Sequence, residues 1–104
     1  MQELNPKVKH VALLKFKEGT SQEQIDEVFN QLLDLSENVP GIDDYVAGPN
    51  NSPENLSDGF THGFVMTFHD AAARDAYLTN ADHERFQSSA LPIVEKVTVF
   101  DFEV

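Results

Sequence analysis

Val8-Lys9-His10-Val11-Ala12-Leu13-Leu14-Lys15-Phe16 is the stretch from which the fold is read. His10, Ala12, Leu14 and Phe16 fall on one side of a period-two alternation, and Val11, Leu13 and Lys15 on the other, so this is a strand with two largely apolar faces. Such a strand needs cover on both sides. The first cover lies just downstream. Gly19 breaks the run, and Ser21 to Gln24 fits a capping box, a hydroxyl for the exposed amides and a side-chain amide reaching back. Ile25, Val28, Phe29, Leu32 and Leu33 then recur at the spacing that places them on one side of a helix. That helix is expected to stop near Asn38, because Pro40 disfavours helical geometry before it and Gly41 supplies a free turn.

The remaining elements follow from the same signals. Ile42 to Ala47 reads as a second strand, and Gly48 to Gly59, rich in Pro, Asn, Ser and Asp, as the longest loop. Phe60 to Phe68 alternates again, with His62, Phe64, Met66 and Phe68 on one face. Asp70 caps a helix over Ala71 to Leu78, and Asn80 to Ala90 forms another short one stopped by Pro92. Val94 to Phe102 is the last strand, with Val97, Val99 and Asp101 opposite Thr98, Phe100 and Phe102. The order is β-α-β-β-α-β with the second helix broken in two. This is the ferredoxin-like α+β arrangement, a four-stranded antiparallel sheet with its helices on one face.

At 104 residues, residues 1–104 are expected to form a single domain. The sheet face left bare by the helices carries Val11, Leu13, Val65, Phe100 and Phe102, too much contiguous apolar surface for a lone subunit. A second copy is therefore expected to cover it, giving a homodimer packed through its sheet faces, a dimeric α+β barrel.

Charge narrows the partners. Seven Lys and Arg against eighteen Asp and Glu leave a net charge of −11, which repels phosphate backbones and anionic membrane surfaces. Neither nucleic acid nor membrane is an expected partner. No Cys is present, which excludes disulfides, thiolate zinc sites and cysteine nucleophiles. The polar start with Pro6 does not read as a signal peptide, and cytoplasm is the expected compartment. There is no glycine-rich phosphate loop, Gly-x-Ser-x-Gly elbow, basic stripe or internal repeat. The four histidines are spread over separate elements without a close metal-ligand spacing, so neither a metal nor another cofactor is expected.

Chemistry concentrates in a few side chains. His10 and His62 share the helix-facing side of the sheet with Ala12, Leu14, Phe64 and Met66. They are read either as core histidines satisfied by hydrogen bonds or as groups that orient a bound carbonyl. Tyr77 and His83 are six apart, wrong for one helical face but natural across a helix break, so that both look into one cavity. A phenol can donate to a developing enolate oxygen, and an imidazole titrating near neutrality can remove a proton from an activated carbon. Asp101, on the same side of the last strand, is placed to accept from His83 or His10, or else stands in water at an edge. Leu14, Val28, Phe29, Phe64, Phe86, Val97 and Val99 are expected to line the cavity. His69 reads as a turn residue.

Taken in order, Val8-Lys9-His10, Leu14-Lys15-Phe16-Lys17, Pro40-Gly41-Ile42, Thr61-His62, Thr67-Phe68, Tyr77 with His83, and Phe100-Asp101-Phe102 resemble the Dabb family, the stress-response A/B barrel domain. That family includes small heat-stable plant proteins and a polyketide cyclase branch. The resemblance implies a dimeric α+β barrel with a ligand cavity between sheet and helices. In the cyclase branch the positions matched by Tyr77 and His83 carry catalysis, and those matched by His10 and His62 lie along the same cavity. Two departures are visible. Asn80-Ala81 stands where many members have His-Pro, and aliphatic residues such as Leu32 and Val94 stand where the cyclase has aromatic ones. The leading expectation is a protein that binds or processes a small apolar carbonyl compound by cofactor-free proton transfer or cyclisation. A non-enzymatic stress or scaffold protein is the rival, and a cofactor-free oxygenase a third possibility.

Overall fold

The computed structural model describes residues 6–104. Strand β1 spans Val8–Phe16, helix α1 Gln22–Asn38, β2 Ile42–Pro49, β3 His62–Phe68, α2 Ala71–Leu78, α3 Ala81–Ala90 and β4 Val94–Glu103, with a 3-10 turn at Leu91–Ile93 before β4. The strands form one antiparallel sheet in the order β2-β3-β1-β4. β1 is thus interior, which is why both of its faces are apolar. All three helices lie against the face carrying His10, Ala12, Leu14 and Phe16, and those four side chains are buried.

Local signals mark the boundaries. Ser21 accepts from the Gln24 amide while Gln24 reaches back to the Ser21 amide, the full capping box. Asp70 takes the Ala73 amide at the head of α2, and Asn80 takes the amides of Asp82 and His83 at the head of α3. Gly41, at a φ of +89°, turns the chain into β2.

Some expectations are corrected. Leu33 was expected on the packed stripe of α1, yet it is 44% exposed, and Leu35 at 6% takes its place. The buried positions Val28, Leu32 and Leu35 step by four and three, and Leu33 lies about 100° further round. β2 runs on to Pro49, and β3 begins at His62 rather than Phe60.

The other face of the sheet is apolar along a cross-strand row. Register aligns Val46, Val65, Val11 and Phe100 across all four strands, with Leu13 and Phe102 beside the row. Phe100 is two-thirds exposed, and Val46, absent from the sequence reading, extends the patch to the β2 edge. Among the described residues no helix is long and apolar enough to cross a membrane.

Candidate active site

Between α2, α3 and the inner face of β1 and β4 lies a cavity of about 190 Å³. Its wall is largely hydrocarbon, from Ala12, Leu14, Val28, Phe64, Phe86, Val94, Val97 and Val99 among others. Four polar side chains interrupt that wall: His10, Tyr77, His83 and Gln87.

The break between the second and third helices brings Tyr77 and His83 together. Tyr77 is in the last turn of α2 and His83 in the first turn of α3, and the Asn80 cap between them holds the His83 amide. Their ring centroids are 4.2 Å apart. Burial pushes the Tyr77 phenol above the usual tyrosine range, with the Tyr45 phenol adding to the effect, so Tyr77 keeps its proton. Burial likewise holds His83 below 6.5. The Leu78 backbone carbonyl opposes that shift and His10 reinforces it. His83 is therefore neutral near pH 7, and its Nδ1 is buried without a hydrogen-bond partner. A donor that holds its proton stands beside a base that lacks one.

His10 is fixed by strand register. It lies opposite Asp101 across the β1–β4 ladder, and its Nδ1 is 2.7 Å from Asp101 Oδ1. The other carboxylate oxygen, Oδ2, accepts from Arg74 Nη1 at 2.9 Å. Asp101 does not line the cavity but stands behind His10. Phe64, Phe68 and Tyr77 pack around the His10 ring at centroid distances near 6 Å.

Of the residues singled out from sequence, His10, Leu14, Phe64, Tyr77, His83 and Phe86 line this cavity, whereas His62 and Phe29 do not. His62 pairs with Leu14, four ladder positions from the His10 pair, a separation of roughly 13 Å at about 3.3 Å per residue. Its ring sits against Phe16 and Phe29, centroids 5.4 and 5.5 Å away, with Nδ1 2.8 Å from Thr61 Oγ1. Leu32 is fully buried in the core and likewise not on the cavity wall. Arg74 escaped the sequence reading. The signal available was its position three residues before Tyr77, which puts both on one side of α2. Among the described residues no three His, Asp or Glu side chains cluster closely enough to hold a metal ion.

A ferredoxin-like subunit with one face under helices and the other bare is the architecture of the dimeric α+β barrels. The chain belongs to the Dabb family: the profile of the Stress responsive A/B Barrel Domain matches residues 8–104. It is 34% identical to the stress-response A/B barrel domain-containing protein HS1 of Arabidopsis thaliana, over 99% of this chain and 94% of that one. It is 28% identical to the olivetolic acid cyclase of Cannabis sativa, over 91% and 94%. The hydroxynitrile lyase of Passiflora edulis superposes with a TM-score of 0.89 at 27% identity, covering 95% and 94%. A dimeric ferredoxin-like protein of unknown function from Jannaschia superposes with a TM-score of 0.84 at 28% identity, covering 94% and 99%.

Proposed function

We propose that this protein is a homodimer that binds a small carbonyl compound in each subunit and moves a proton on it without a cofactor. The observation that carries the reading is the convergence of Tyr77, His83 and His10 on one largely apolar cavity. A pocket of about 190 Å³ matches a single aromatic ring with a short substituent, since a cavity of roughly 150 Å³ holds benzene. In it the neutral His83 takes a proton from the carbon next to the carbonyl. Tyr77 donates a hydrogen bond to the oxygen as negative charge gathers there. The same pair returns a proton or lets the enolate attack a second carbonyl, which is the chemistry of a cyclase. That one relative is a cyclase and one solved neighbour a lyase is consistent with it. Pairing through the Val46-Val65-Val11-Phe100 row leaves the cavity on the far side of each sheet, so the two sites work independently.

Acetophenone in deuterium oxide is a direct probe, because its methyl protons exchange only through an enolate. The protein is expected to accelerate that exchange at least about tenfold over buffer, a barrier reduction of about 1.4 kcal/mol. His83→Ala and Tyr77→Phe should each return it to the buffer rate while circular dichroism stays native. No acceleration, together with unmoved Tyr77 and His83 resonances on titration with acetophenone, would sink the reading. The non-enzymatic reading draws on His62, packed between two phenylalanines like a core residue. It would gain if the cavity bound nothing.

A further inference from the structure

We propose that Arg74, acting through Asp101, sets the tautomer of His10, so that His10 presents a bare Nε2 to the cavity. The chemical meaning of this rests on the cavity reading above, but the geometry stands by itself. Asp101 has its oxygens divided, Oδ1 at 2.7 Å from His10 Nδ1 and Oδ2 at 2.9 Å from Arg74 Nη1. Arg74 is held from its other side by Asp75, which accepts from Nε at 2.8 Å. The side chains of His10, Asp101 and Arg74 are only 8, 20 and 24% exposed, so water competes little for these bonds.

Arginine has donors only and does not give up its charge. A carboxylate between a guanidinium and an imidazole accepts on both oxygens, so the proton in the 2.7 Å contact belongs to Nδ1 of His10. Neutral His10 then has its lone pair on Nε2, the reverse of the form a free imidazole side chain favours in water. An Nε2 in that state accepts. It meets a hydroxyl or an acidic C–H of the ligand, not a carbonyl oxygen. Arg74 lines no part of the cavity and is a positioning residue. Without it, Asp101 loses one of two partners in a site poor in water and is free to turn off Nδ1.

The test is the nitrogen spectrum of the ¹⁵N-labelled full chain at pH 8, using long-range correlations that tell a protonated ring nitrogen from a bare one. Wild type is expected to show His10 protonated at Nδ1 and bare at Nε2. In R74M the two shifts should move toward each other as the tautomers mix, and R74K should restore them. A wild-type His10 protonated at Nε2 overturns the proposal, as does an R74M spectrum identical to wild type. Should R74M not fold, D101A must show the same loss of the Nδ1-protonated form, and an unchanged tautomer there is equally fatal. No ligand enters these spectra. A His10 locked on Nδ1 in a protein that never exchanges acetophenone protons would therefore end the proposed chemistry and leave the role of Arg74 standing.

Discussion

His83 and His62 are shifted in the same direction by the same cause, in different surroundings. Burial holds both below 6.5, His83 against the cavity and His62 against Phe16 and Phe29. The unfolded chain takes up protons at these sites as pH falls through 6.5, while the folded chain resists until lower pH, so the unfolded state binds more protons in that interval. Stability is thus complete above about pH 6.5 and is lost as pH falls toward the folded-state values. The urea midpoint is expected to drop as pH falls below 6.5, and the drop should shrink in a His62→Gln, His83→Gln double variant. If the proposed proton transfer runs through His83, acetophenone exchange should fall on the same side, with an acid limb below 6.5, because only a neutral imidazole accepts a proton. His62→Ala removes two ring contacts and is expected to cost about 1–2 kcal/mol in urea unfolding. A cost near zero would show that His62 is not a packing residue.

At the scale of elements, the junctions hold the site. The Asn80 cap starts α3 where His83 must face Tyr77, taking two amides that would otherwise be unpaired. Asn80→Ala is expected to lower stability by about 1 kcal/mol, measured by thermal or urea unfolding, and to slow acetophenone exchange as His83 loosens. Asn80→Asp should preserve both. The turn before β2 is as constrained. A Cβ at Gly41 would sit 2.6 Å from the Ala73 Cβ of α2, at a φ where side chains are strained. Gly41→Ala should therefore cost about 2 kcal/mol or more, and part of that cost should vanish in an Ala73→Gly background, a coupling that only direct contact produces.

For the whole molecule, the exposed row through Phe100 is the face through which we propose that the subunits pair. Phe100 is two-thirds exposed in the subunit, so Phe100→Asp leaves each subunit's core intact while placing a charge at the centre of the paired faces. Sedimentation is expected to find wild type as a dimer at micromolar concentration and F100D as a monomer that still melts cooperatively. A wild-type monomer at that concentration would refute pairing. If pairing holds, wild-type melting temperature should rise with protein concentration and that of F100D should not.

The alternation of β1, the caps at Ser21, Asp70 and Asn80 and the apolar bare face were legible in the sequence, because each rests on neighbours a few residues apart. The joining of Tyr77 to His83 across a helix break was legible for the same reason, since a cap and a six-residue gap are local facts. Position along a strand is not local. Alternation assigned His10 and His62 to one face, but only the β1–β3 register showed His62 at the far end of it, beside Phe29 and away from the cavity. The choice of Leu35 over Leu33 depended on which way α1 rolls against the sheet. The contact from His10 through Asp101 to Arg74 joins β1, β4 and α2, residues 10, 101 and 74. Alternation offers His10 or His83 as the partner of Asp101, but which of the two it meets, and that Arg74 joins it, only tertiary packing decides, because hydrogen bonds act over about 3 Å.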